Sequence, residues 1–196
     1  MLSTDEFSSA IPIDAAMDPD TMLAYEMNGD VLPYEHGYPA RLIVPGRYGM
    51  KNAKWVMVLR PMSQQYVDYY GQRNWNQQGI VKTMARIDVP APGSEVTPGS
   101  QGIAGIAYAG NRGVKTVQFS ADGGQTWQDA SLVEPPAGKD AWVRWQGNFT
   151  AAPGGALKLV ARAVDGTGAL QPETFSLPQP DGGGGWDSIQ VNVRSA

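Results

Sequence analysis

His36 is the only histidine in the chain, and Arg41, Arg47, Lys51 and Lys54 follow it in the stretch HGYPARLIVPGRYGMKNAKW. Gly37, Gly46 and Gly49 lie among these cations. Glycines let a ligand approach exposed backbone N–H groups, and cations neutralise an anion, so these residue types suit a phosphate or a related group. The same window also reads as a solvated loop whose positive charges offset nearby acids, and charge spacing alone favours that reading. Thiol chemistry is excluded. With no cysteine, the chain offers no disulfide, thiolate nucleophile or cysteine metal ligand. Asp165 and Asp187 could be paired for hydrolysis, but nothing in their spacing supports it. Tyr66, Tyr69 and Tyr70 suit a packed helix face better than a pocket wall.

The elements that must hold this window are short. MDPDTMLAYEMNG predicts one helix. Asp18 would cap it, Pro19 suits its first position, and Asp20 favours the positive end of its dipole. Met22, Leu23 and Met27 would form the apolar stripe, and Gly29 the stop. Apolar runs at 41–44 and 54–59 are strand-length and bounded by turn residues. Residues 63–70 suit a second helix, and GQRNWNQQG a polar linker.

From Lys82 onward short apolar runs recur with turn signals between them, as a β-sandwich or barrel requires. Strands are expected at 84–89, 102–109, 114–120, 126–132, 141–149, 157–164 and 188–193. VKTVQFSADGGQTWQDASL is the clearest hairpin, turning at Asp122-Gly123-Gly124. Its SADGGQTW also fits the S-x-D-x-G-x-T-W box of sialidases and other propellers. Propellers repeat that box blade by blade, and one copy favours a hairpin in which Asp122 bonds turn N–H groups and Trp127 packs beneath. The six tryptophans are better read as core than as sugar platforms.

The bulk numbers set bounds. A chain of 196 residues makes one large domain or two small ones. Hydrophobic residues at 42% and charged residues at 17% fit a soluble globular protein, and 24 glycines with 15 prolines imply frequent turns. A formal charge of -4 argues against a nucleic-acid binder. No apolar run reaches about 18 residues, so no membrane span is expected. MLSTDEFSSAIPID lacks the regions of a signal peptide, and the compartment stays open. The NFT sequon at Asn148 is read as a chance match.

LAYEMNGDVLPYEHGYPARLIVPGRYGMKNAKW resembles the end of the molybdopterin-binding domain of the sulfite oxidase family. The likeness runs through YEMNG, HG-x-P-x-R, V-P-G and K-W. VKTMARIDVP, SADGGQTW and IQVNV resemble that family's dimerisation domain, so the likeness covers nearly the whole chain. It implies a mainly β fold, with an immunoglobulin-like β-sandwich preceded by a partial α+β molybdopterin-binding segment. The implied divisions are 1–62 for that segment, 63–82 for a linker and 83–196 for the dimerisation domain.

The resemblance also implies roles. His36 and Arg41 would contact the molybdopterin, while Asn52, Ala53 and Lys54 would hold its phosphate end. Lys51, in the Gly-Met-Lys-Asn turn, is expected to swing into water. Family enzymes bind molybdenum through a cysteine supplied earlier in the chain. The sequence is therefore expected to be a fragment or split subunit, holding no molybdenum and inactive alone. Its partners would be a second copy, through the sandwich, and the missing N-terminal half or a complementary subunit. Sulfite oxidases carry a sulfite-binding arginine near the C-terminus, whereas LPQPDGGGGWDSIQVNV has none before Arg194. That glycine run looks more like the family's bacterial relatives. The alternative is a non-enzymatic sandwich module that binds a partner or a glycan.

Overall fold

The structure, a computed structural model, describes residues 1–134 and 136–195. The chain divides into two units. One comprises Met1–Val81 with Leu177–Gly182, and the other Lys82–Ser176 with the stretch from Gly183 onward.

The first unit is built from very short elements. Met22–Ala24 pairs antiparallel with Arg41–Ile43, Leu2–Ser3 with Val56–Val58, and Glu26–Met27 with Asp30–Val31. The helix expected across Asp18–Gly29 does not form, and the α-helix of this unit is Ile13–Ala16. Asp18 does accept the Asp20 N–H at 2.9 Å, but in a turn. Asn28 and Gly29 both have positive φ, 56° and 86°. An Asn-Gly pair with two positive φ values is a hairpin turn rather than a helix stop. Residues 63–70 also form no helix, and a single 3-10 turn follows at Gly71–Arg73. Tyr69, Tyr70, Phe7 and Trp75 instead join in tilted and edge-on ring contacts. Hydrogen bonds tie Leu177–Gly182 into this unit. Gln179 Nε2 donates to Arg73 O at 2.8 Å, Asn76 N to Pro180 O at 2.9 Å, and Asn76 Nδ2 to Asp181 Oδ1 at 2.5 Å.

Among its described residues the second unit carries nine strands: β1 Met84–Val89, β2 Glu95–Val96, β3 Gly99–Tyr108, β4 Val114–Ser120, β5 Gln128–Asp129, β6 Ser131–Leu132, β7 Val143–Ala151, β8 Ala156–Asp165 and β9 Asp187–Val193. They form two sheets, ordered β5-β4-β8-β9-β2 and β6-β7-β3-β1. The fold is mainly β, as expected. Period-two alternation drives it. On β7, Val143, Trp145, Phe149 and Ala151 are buried while Arg144, Gln146 and Asn148 are exposed. Residues of both sheets, among them Ile87, Ile103, Trp145, Phe119, Leu159 and Val191, share one core. The strand expected at 126–132 is two. β5 pairs with β4 in one sheet and β6 with β7 in the other, because the chain crosses at Ala130.

Side-chain turns complete this unit. Asp122 accepts from Ser120 Oγ at 2.6 Å and from the Gln125 and Thr126 N–H groups at 2.9 Å, the hairpin reading of SADGGQTW. Arg162 stacks its guanidinium 3.7 Å from the Trp127 ring, and Trp127 meets Trp186 edge-on. Asp165, buried, accepts from Arg112 Nε at 2.8 Å, Thr83 Oγ1 at 3.3 Å and Thr167 Oγ1 at 2.6 Å.

Candidate functional site

The cation window is built on one tight turn, Tyr34–His36, closed by Gly37. Gly37 has φ 114°, and a Cβ there would lie 2.9 Å from the Lys54 Cβ and 3.1 Å from the Arg41 Cβ. Only glycine supports this backbone and this approach. Two strands meet the turn. Arg41 begins Arg41–Ile43, and Lys54 lies just before Val56–Val58. Leu42 N donates to Ala53 O at 2.9 Å, and Val56 N to Ala40 O at 2.9 Å, which fixes both segments side by side.

His36, Arg41 and Lys54 therefore converge. Arg41 Nη1 donates to His36 O at 3.1 Å, and Lys54 Nζ donates to Glu35 O at 3.1 Å. Lys54 Nζ also sits 4.2 Å from the centre of the Trp55 ring. Trp55 is held by its indole N–H on Tyr34 O at 2.9 Å. The His36 imidazole is exposed. Arg41 Nε is buried without a hydrogen-bond partner. A buried donor left unpaired costs on the order of 1–3 kcal/mol, so a donor aimed at nothing is a reason to look for a ligand.

Asn52, Ala53 and Lys54 line a small pocket of about 210 Å³, with Asp5 and Trp55 also on its wall. The Asn52 side chain is fully engaged. Its Oδ1 accepts from Val44 N at 2.6 Å, and its Nδ2 donates to Arg47 O at 3.2 Å and Tyr48 O at 3.1 Å. It shapes the loop rather than reaching into the pocket. Arg47 is turned to Gln78 O. Among the described residues no three His, Asp or Glu side chains are grouped to hold a metal.

Lys51 departs from expectation. It is fully buried, 0% exposed, and pairs with Asp68 at 2.5 Å. Burial alone would raise the Asp68 pKa, but bonds from Lys51 and from the Gly71 and Ala10 N–H groups hold it below the ordinary value. By charge alone Lys51 and Lys54 are alike, three residues apart. The missed signal was Asp68, an acid set among aromatics in YVDYY.

The two units correspond to two known domain types. Residues 2–70 match the oxidoreductase molybdopterin binding domain, and residues 73–178 match the Mo-co oxidoreductase dimerisation domain. The chain belongs to the sulfite oxidase family of molybdopterin oxidoreductases. Within that family it is 32% identical to sulfite oxidase of Gallus gallus, over 87% of this chain and 42% of that protein. Sulfite oxidase of Arabidopsis thaliana is 28% identical over 85% of this chain and 50% of its own length. The sulfane dehydrogenase SoxCD of Paracoccus pantotrophus superposes with a TM-score of 0.71 at 29% identity, over 94% of this chain and 53% of that one. The chain thus spans about half or less of the length of these family members.

Proposed function

We propose that this chain supplies one wall of a molybdopterin pocket and the immunoglobulin-like dimerisation sandwich of a sulfite oxidase-family oxidoreductase. The supporting observation is the convergence of His36, Arg41 and Lys54 on the Gly37 turn, with Arg41 Nε buried and unpaired. These donors fit an anionic, hydrogen-bonding group such as a pterin with a phosphate tail. When bound, that cofactor supplies oxygen-atom or two-electron transfer at its metal. His36 and Arg41 would contact the pterin, and Lys54 the phosphate end. Asn52 and Ala53 would shape the pocket that Lys54 shares.

The remaining half of the molybdopterin domain, or a complementary subunit, would complete the first unit and bring the thiolate that these residues lack. Exposed apolar side chains support that reading. Met17, Ile13 and Met57 are 75%, 71% and 61% exposed. Ile11, Leu42, Leu59 and Met62 line an open groove of about 940 Å³ in the same unit. An exposed apolar groove of this kind suits a partner surface.

The test is reconstitution of the purified chain with the remaining part of a related molybdopterin domain and the cofactor. The expected result is pterin fluorescence and about one molybdenum per complex, both lost on Arg41→Ala. A complex that forms yet retains no pterin would reject the cofactor reading. It would leave a sandwich interaction module.

A further inference from the structure

We infer that Gly182 is a positioning residue for the proposed cofactor loop: it seats the Tyr48 ring, and Tyr48 fixes the turn from which Asn52, Ala53 and Lys54 follow. The inference rests on the reading of that loop as a cofactor wall and adds a residue, far along the chain, that holds it. Leu177–Gly182 belongs to the first unit although the chain on either side of it belongs to the second. Just outside it, Ser176 N and Gly184 N each donate to the other's carbonyl, at 3.0 and 3.1 Å, so the segment is a closed loop rather than a free tail. Its last residue, Gly182, is buried and has φ 93°.

Position 182 demands glycine on two counts. The positive φ is one. Space is the other. A Cβ there would lie 2.5 Å from both Cζ and Cε2 of Tyr48, and closer still to its hydroxyl oxygen. The edge of the Tyr48 ring thus fills the place where any other residue would carry its side chain. The segment is not free to recede from it. Gly182 N donates to Pro178 O at 2.5 Å, and Asn76 holds Pro180 O and Asp181 Oδ1. A larger residue at 182 must therefore displace the ring.

Tyr48 is the residue to which the loop is tied. It stands directly before the Gly49–Lys51 turn. Its N–H donates to Gly79 O at 2.7 Å, and its carbonyl accepts Lys51 N at 2.9 Å and Asn52 Nδ2 at 3.1 Å. Asn52 N donates to Gly49 O at 2.9 Å, and Ala53 and Lys54 come next in the chain. Close-packed interiors pass a displacement on rather than absorb it. A binding site tolerates only about 0.5 Å of misplacement, so a shifted Tyr48 carries the loop out of register with its ligand.

The test sets Gly182→Ala beside Gly29→Ala. Gly29 is in the same unit, has φ 86° and has nothing within 4 Å of a Cβ, so its alanine variant bears the backbone strain without a ring contact. In the reconstituted complex Gly182→Ala is expected to hold pterin at least about tenfold less tightly than Gly29→Ala. In a Tyr48→Ala background the added loss from Gly182→Ala should shrink to that of Gly29→Ala, because the strain is common to both backgrounds and cancels in the cycle. Hydrogen exchange of the full chain without cofactor is the second readout. The Lys51 and Asn52 amides should exchange at least about tenfold faster in Gly182→Ala, while the Leu32 amide, bonded to Tyr25 O in the same unit, keeps its parent rate. If Leu32 speeds up equally, the unit has unfolded and Tyr48→Ala alone decides: loss of its ring should speed Lys51 and Asn52 and spare Leu32. Equal pterin retention in the Gly182 and Gly29 variants, or a Gly182→Ala loss unchanged by Tyr48→Ala, would overturn the inference. Parent exchange rates at Lys51 and Asn52 in both the Gly182 and Tyr48 variants would reject the positioning role whatever the pterin content. A parent complex without pterin would reject the cofactor reading whatever the exchange rates.

Discussion

Lys51 Nζ lies 2.5 Å from Asp68 Oδ2, and neither side chain is exposed by more than 2%. Asp68 also accepts the Ala10 N–H at 3.0 Å and the Gly71 N–H at 2.9 Å. One carboxylate therefore gathers three segments behind the loop that carries Asn52, Ala53 and Lys54. Lys51 is a structural residue, and Lys54 is the cation proposed to meet the ligand.

Lys51→Ala leaves a buried carboxylate without its cation, which costs about 3–5 kcal/mol. A large fall in the midpoint of thermal unfolding is expected. Lys54, partly exposed, should lose under about 1 kcal/mol on conversion to alanine. In the reconstituted complex Lys54→Ala should still lower cofactor content. Equal melting temperatures for the two variants would contradict this division of labour.

Gly37→Ala places a methyl group 2.9 Å from the Lys54 Cβ and forces alanine to φ 114°. The strain is at least about 1–2 kcal/mol. The turn should shift, and cofactor retention should fall further than stability does. Fluorescence of bound pterin set beside a chemical denaturation curve would separate the two effects. Full retention in the alanine variant would count against the turn as the hub of the site.

Asn52→Ala removes three hydrogen bonds from the loop, each contributing about 1 kcal/mol net. Asn52→Asp keeps the acceptor for Val44 N but loses the donors to Arg47 O and Tyr48 O. Its urea midpoint is expected to fall between those of the parent and the alanine variant. An aspartate variant as weak as alanine would show that the donors, not the Val44 bond, hold the loop.

Acid should weaken the second unit through Asp165. Burial would raise its pKa, but bonds from Thr167 and Arg112 and from the Ala169 and Thr167 N–H groups bring it down to about 2, from 3.8. The folded value is the lower one, so the stabilisation is present above the unfolded pKa. It is lost as pH falls from about 4 through 2, and is on the order of 2 kcal/mol. Asp165→Asn should flatten this part of the stability profile. A parent chain equally stable at pH 5 and pH 2.5 would refute the assignment.

Long strands were readable because alternation repeats along them. β1 and β4 coincide with the expected 84–89 and 114–120, and β7 differs by two residues at each end. Elements of two or three residues carry no period to read. Met22–Ala24 follows helix-like residues but is claimed by its partner Arg41–Ile43, and Asn28-Gly29 serves a hairpin where a helix end was expected. At the candidate site, the resemblance carried by HG-x-P-x-R named His36 and Arg41, and the structure joins them through one local turn. Lys51 was misplaced because its partner is seventeen residues away, and spacing says nothing of that distance.

The hydrogen bonds of Leu177–Gly182 to Arg73 and Asn76 have a consequence for inheritance. A genetic crossover near residue 82 would join one parent's first unit to another parent's late strap. Asn76 and Asp181 would then come from different ancestors, as would Arg73 and Gln179. The carbonyls of Arg73 and Pro180 are supplied by any residue, so of these bonds only the Asn76–Asp181 side-chain pair asks both parents to agree. Moving the first unit intact therefore means carrying the six codons of Leu177–Gly182 along with it.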